Sequence, residues 1–243
     1  MKKVGIRLAM AAAALLTSIG VQAGVLRTTI TFDPVDTSTL AFPPLLVYGD
    51  EFYQPGLGGR TMWLDPFSNS SIGGAGDLVG AVVDGACADL GCPVNNASNY
   101  VAMLDDGVLA FGSTDGFTFS VQSLNASFIG SGDVMSTTPG YLALQGVRNG
   151  QSMTAYFALT GLDANGQLNF STIDTGAFGD YEFDNVYAFA YACKGSSCQA
   201  FSSNQAQFAL DDIVIEHVPE PASLALVGIA GLAYLGARRR RAA

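Results

Sequence analysis

The chain is poor in the side chains that most protein chemistry uses. Of its 243 residues one is histidine and one is tryptophan, and Lys and Arg together number 11 against 21 Asp and Glu. Lys2, Lys3, Arg7 and Arg238 to Arg241 lie at the two ends, so residues 24–218 hold 20 acids and four bases (Arg27, Arg60, Arg148, Lys194), a formal charge of −16. A surface this acidic repels phosphate backbones, which are bound by clustered Lys and Arg, and nucleic acid is excluded as a partner. His217 is the sole imidazole, which leaves a Ser–His or Cys–His nucleophile without its base. No Gly-rich phosphate loop, nucleotide motif or metalloprotease helix occurs. Carboxylates alone can hydrolyse a glycosidic bond when two of them stand about 5–10 Å apart. Glutamate is scarce in the body, however (Glu51, Glu182, Glu216), and the expectation is a protein that is not an enzyme, with hydrolysis through Asp180, Glu182 or Asp184 the least favoured reading.

Helix patterning is also lacking between residues 24 and 218, where no long stretch carries an i, i+3, i+4, i+7 apolar stripe. Period-two runs are plentiful: Val25 to Phe32, Gly116 to Val121, Met153 to Leu159, Val186 to Tyr191 and Phe208 to Ile215. Asp106-Gly107, Asp115-Gly116, Asn149-Gly150 and Asn165-Gly166 supply turn dipeptides between them. The predicted fold is all-β, a single antiparallel sandwich of jelly-roll type over residues 24–218. Residues 34–75, rich in Pro, Gly and Ser, are predicted to be long loops.

The ends carry addresses. Residues 1–23 begin with basic residues, continue through the apolar run Leu8 to Leu16 and finish on Val21-Gln22-Ala23, the layout of a secretory signal peptide cleaved between Ala23 and Gly24. Its expected partner is the Sec export machinery. Residues 219–243 read Pro219-Glu220-Pro221, an uncharged segment 222–237 and Arg238-Arg239-Arg240-Arg241. A 16-residue helix spans about 24 Å against a ~30 Å hydrocarbon layer, enough when arginines reach the interface, and those arginines hold its end in the cytoplasm. The body then lies outside.

Those three parts in that order resemble the PEP-CTERM protein-sorting signal. The resemblance implies that exosortase, a membrane transpeptidase, cuts near Pro219-Glu220-Pro221. It implies an inner-membrane-tethered precursor whose body moves to the cell surface or exopolysaccharide matrix. Gln207-Phe208-Ala209-Leu210-Asp211 is similar to the QFxxD pattern of one subgroup of such proteins. Leu210-Asp211-Asp212-Ile213-Val214 resembles the final strand of jelly-roll carbohydrate-binding domains and MAM-like modules, whose first strand carries an acid after an aromatic residue, as Phe32-Asp33 does here. In those domains a structural calcium ties first strand to last, which implies Asp33, Asp211 and Asp212 as ligands.

The four cysteines form two C-x4-C pairs, Cys87 with Cys92 and Cys193 with Cys198. Sequence leaves three pairings open, and two local disulfides are expected after export to an oxidising compartment, ahead of a four-cysteine zinc site. Asp180-Tyr181-Glu182-Phe183-Asp184 would place three carboxylates on one face of a strand, a solvated edge or a calcium site. No cofactor is required; calcium is the one candidate. The leading functional expectation is a non-catalytic structural protein of the surface or matrix. The alternative is a lectin-like module in which Trp63, Tyr53 and Phe67, placed in the loop region, stack on extracellular polysaccharide. Packing is the plainer role for Trp63.

Overall fold

Strand patterning translates directly into burial. In Thr61–Ser68, Met62 and Leu64 are buried while Trp63, Asp65 and Phe67 are half-buried on the opposite side. In Asn185–Lys194, Val186, Ala188 and Ala190 are buried and alternate with Tyr187, Phe189 and Tyr191. One sheet face on a core requires that period. The structure, a computed structural model, describes residues 24–36, 38–69, 74–83, 90–131, 134–135, 140–201 and 205–217.

The strands in chain order are β1 Leu26–Ile30, β2 Leu45–Val47, β3 Phe52–Pro55, β4 Thr61–Ser68, β5 Leu78–Val83 and β6 Leu90–Gly91. Next come β7 Tyr100–Met103, β8 Gly107–Ser113, β9 Ser120–Phe128, β10 Gly130–Ser131, β11 Val134–Met135 and β12 Gly140–Arg148. β13 Gln151–Leu159, β14 Ser171–Asp174, β15 Asn185–Lys194, β16 Ser197–Gln199 and β17 Phe208–His217 complete them. The first sheet has the order β14-β9-β17-β7-β5-β2, with β1 also on β17. The second runs β13-β12-β15-β8-β4-β3, with β16 on β15, and a small third sheet joins β11, β10 and β6. The predicted all-β antiparallel sandwich is the observed fold.

Inward rows of the two large sheets form one core that includes Phe52, Leu64, Phe111, Phe128, Leu142 and Phe208. Each fully buried side chain of this size stabilises the fold by about 1.5–3 kcal/mol. Residues Arg27–His217 form one compact unit. The predicted hairpin is present in full: Arg148 pairs with Gln151, and Asn149 and Gly150 both have positive φ (50° and 74°), as a type I′ turn requires.

Three expectations are corrected. Residues 34–75 contain β2, β3 and the eight-residue β4 as well as loops; β4 reads poorly in sequence because Pro66 interrupts it and because aromatic rings occupy its outer side. Asp180 to Asp184 is a turn followed by one isolated bridge, Phe183 to Phe119, and β15 starts only at Asn185. The rings of Phe178 and Phe183 stack at 4.6 Å, and both are buried, which draws that segment inward as a turn. Gly116 to Thr118 also precede the strand, since the chain turns at Gly116 (φ 74°) with Asp115 Oδ1 accepting the Phe117 N–H, and β9 begins at Ser120.

Among the described residues no α-helix occurs, and no helix is long and apolar enough to cross a membrane. The predicted signal segment 1–23 and membrane helix 222–237 lie outside the described residues.

Candidate functional site

The outer faces of the two large sheets differ. On the first sheet, Ala81, Val83, Tyr100, Ala102, Ile129 and Ala209 form a second buried cluster, with Cys92, Leu104 and Phe170 packed on it. On the second sheet the outward positions are largely aromatic: Tyr53 of β3, Trp63 and Phe67 of β4, Tyr141 of β12, Tyr156 of β13, and Tyr187, Phe189 and Tyr191 of β15. Rings touch along this face. Phe67 meets Tyr48 at 6.1 Å and Tyr187 at 6.3 Å, while Tyr191 meets Phe189 and Tyr156 at 5.8 Å each. Tyr156 and Tyr141 stand out to solvent, 58% and 41% exposed.

Register fixes the rows. Asp65 lies opposite Ala110, which lies opposite Tyr187, then Gln145, then Thr154, and Gln145 Nε2 donates to Thr154 Oγ1 at 3.2 Å. One row away Trp63 lies between Tyr53 and Gly112. The indole rests on Gly112: a Cβ added there would meet Trp63 Cζ2 at 2.6 Å. Glycine is what lets the ring lie flat on the sheet.

Asp65 sits between Trp63 and Phe67 along β4, half-buried, with no hydrogen-bond or ion-pair partner among the described residues. Burial pushes its carboxyl above the usual value, and the charge of Glu51 adds to the rise. The Tyr53 hydroxyl donates to Glu51 Oε1. Thus Trp63, Tyr53 and Phe67 are brought together, on strands and not on loops. Sequence reasoning missed Asp65 and the β15 tyrosines. The available signal was Val186-Tyr-Ala-Phe-Ala-Tyr191, where alanines occupy the core side and aromatics the other.

The acids expected to bind calcium are engaged in hydrogen bonds. Asp211 is fully buried on the outer side of β17. Its Oδ2 accepts from Asn96 Nδ2 at 2.6 Å and Ser98 Oγ at 3.0 Å, and its Oδ1 accepts the Asp212 N–H at 2.8 Å. Burial pushes the Asp211 carboxyl up. Asp212 sits at a bulge with φ 48°, and its Oδ2 accepts from Asn125 Nδ2 at 2.8 Å. Asp33, exposed, accepts the Asn99 N–H at 3.0 Å. The segment 96–99 therefore links Asp33, after β1, to Asp211 of β17 through amides and a hydroxyl. Asp212, Asn95, Asn96, Asn125, Phe170 and Thr172 line a cleft of about 180 Å³ beside it. Among the described residues no group of three metal-ligating side chains occurs. Gln207, Phe208 and Asp211, the named positions of the QFxxD pattern, are all buried, 1%, 0% and 0% exposed, a packing explanation for that pattern.

Asp180 is exposed on its turn, and Asp184 Oδ2 accepts the Asn149 N–H at 2.8 Å. Glu182 accepts from Thr118 Oγ1 at 2.8 Å, lies 3.7 Å from Arg148 Nη1 and 2.9 Å from His217 Nδ1. Glu182 and Asp184 thus have different hydrogen-bond partners. The His217 ring lies 4.0 Å from that of Phe117, the planes tilted by 51°, and the Arg60 guanidinium covers Phe117 at 3.9 Å. Cys193 and Cys198 are disulfide-bonded and directly paired across β15 and β16. Cys92 is disulfide-bonded as well. Cys87, Ala23, Pro219, Glu220, Pro221 and Arg238 to Arg241 lie outside the described residues; Gly24 is exposed.

Comparison with known proteins gives little for the body. No curated protein sequence matches the chain. A solved structure, the apo form of a cyclase from Fischerella sp., is similar at 10% identity, covering 80% of this chain and 98% of that one, with a TM-score of 0.38. Residues 217–241 match the PEP-CTERM protein-sorting motif, starting on the last residue of β17. The chain thus carries the sorting signal of an exported protein that exosortase processes.

Proposed function

We propose that the body is a non-catalytic polysaccharide-binding protein of the cell surface or extracellular matrix, and that the outer face of the second sheet is its binding surface. One observation carries the reading: β15 turns its alanines to the core and Tyr187, Phe189 and Tyr191 away from it. Burial alone favours the reverse, since large aromatic side chains gain most from a core. A half-buried aromatic face from which Tyr141 and Tyr156 stand out to solvent suits an interaction surface. Rings with a polar edge suit sugars, which present apolar ring faces and hydroxyl rims. Asp65, Gln145 and Thr154 supply hydrogen-bonding groups within the same tier.

The acids considered for hydrolysis support binding over catalysis, because Glu182 and Asp184 are already engaged and Asp180 stands apart. In this reading residues 1–23 direct Sec export, residues 222–237 hold the precursor in the membrane, and processing near Pro219 releases the body to the matrix.

Pull-down with insoluble polysaccharides tests the surface. Wild-type chain should be retained and Trp63→Ala should lose most retention while melting normally; equal retention of the two would refute the assignment. Deleting residues 219–243 should abolish membrane retention and processing, and unchanged localisation would refute the sorting role.

A further inference from the structure

The charges on the aromatic face narrow its ligand. Asp65 lies between Trp63 and Phe67 on β4, without a hydrogen-bond or ion-pair partner among the described residues, and Glu51 is held beside Tyr53 at the β3 edge. Among the described residues no cation answers them. Arg27 is committed to Glu216 at 3.0 Å, Arg60 to Asp115 and Arg148 to Glu182 at 3.7 Å. Lys194 is seven positions along β15 from Tyr187, about 23 Å at ~3.3 Å per residue. The platform is also long. Trp63 and Phe67 are four positions apart on β4, about 13 Å, which exceeds the width of a single sugar ring.

We infer that this face binds a polysaccharide bearing free, protonated amino groups, with Asp65 as the residue that selects them and Trp63 and Tyr53 as the rings beneath. This rests on the polysaccharide-binding reading above and specifies its ligand. An ammonium group carries donors only, and a carboxylate accepts only, so the two match without a wasted contact. An ammonium is further attracted to the faces of Trp and Tyr, most strongly where water is partly excluded. A uronic-acid polymer would set its carboxylates against Asp65 and Glu51 with no cation among the described residues to receive them, a like-charge juxtaposition that interfaces avoid. An N-acetylated polymer offers the rings a surface and leaves Asp65 uncompensated.

Isothermal calorimetry on the full chain in detergent, at low ionic strength and pH 6, tests this with three hexamers: β-1,4-linked glucosamine, its fully N-acetylated counterpart and galacturonic acid. The expected order is glucosamine tightest by about tenfold over the N-acetylated chain, with galacturonate weakest, and the preference should shrink as salt is raised. Asp65→Asn should abolish the preference, so that the glucosamine and N-acetylated hexamers bind it with the same affinity; Glu51→Gln should reduce the preference less. Asp65 makes no hydrogen bond that Asn would break, so this variant keeps the fold. Equal or tighter binding of the N-acetylated chain, or a preference for galacturonate, overturns the amino-group assignment while the polysaccharide reading stands. Failure of all three to bind overturns both.

Discussion

Replacing Asp211 with Ala tests how first and last strands are joined. The substitution removes the acceptor for Asn96 Nδ2 and for the Asp212 N–H; Ser98 Oγ has a second acceptor, Asn96 Oδ1 at 2.6 Å, and is not orphaned. A fully buried donor left without a partner costs about 1–3 kcal/mol; these two are half-buried beside the cleft, so about 2–6 kcal/mol is the upper range of the gross loss. Burial of the carboxylate itself is unfavourable, as its raised pKa records, and removing it offsets part of that loss. A net destabilisation of about 2–4 kcal/mol follows, a fall in melting midpoint of roughly 4–16 °C for a domain of this size. Asp211→Asn keeps one acceptor oxygen and should lose about half as much. The assay is calorimetric melting of the full chain at pH 7, with Asn96→Ala and the double variant completing a cycle. Contact residues should couple by about 0.5–3 kcal/mol. EDTA is expected to leave the wild-type midpoint within about 1 °C, because hydrogen bonds make the join. A variant that melts with wild type, strict additivity with Asn96→Ala, or an EDTA shift that Asp211→Ala abolishes would each refute the reasoning.

Three further outcomes follow from the geometry. Burial and Glu51 raise the Asp65 pKa above its ordinary 3.8, so the folded protein holds more protons than the unfolded chain in the window just above that value. This group's contribution to stability therefore declines as pH rises through the window. Asp65→Asn should melt no lower than wild type at pH 7, and glucosamine-hexamer affinity should fall on acidification as the Asp65 carboxyl takes up its proton, a limb absent from the variant. Gly112→Val should displace the Trp63 indole, reducing polysaccharide retention as Trp63→Ala does, at a stability cost of about 1–3 kcal/mol readable by urea titration. Cys198→Ser opens a very short loop already closed by strand pairing and should cost at most about 2 kcal/mol in the same titration.

Much of the architecture was legible because local rules suffice for it. Asn149-Gly150 is a turn wherever apolar alternation flanks it, and β12, β13, β15 and β17 each carry alternation strong enough to read directly. β4 was not legible, since Pro66 and its outward rings imitate a loop, and its strand state depends on pairing with β3 and β8. Asp180 to Asp184 misled in the opposite sense: its alternation is real, but the stack of Phe178 on Phe183 decides its path.

What sequence alone determined is composition-bound and local: an acidic body nearly without imidazole, strand periodicity, cysteine spacing and a linear sorting signal that is read as a string and needs no fold. What only tertiary structure decided is coincidence in space. Trp63, Asp65 and Tyr187 share a face because strand register sets β4, β8 and β15 side by side, and the segment before β7 reaches Asp33 through Asn99 and Asp211 through Asn96. Such meetings join residues far apart in the chain, and their free energy arises only when the pairing and the burial form together.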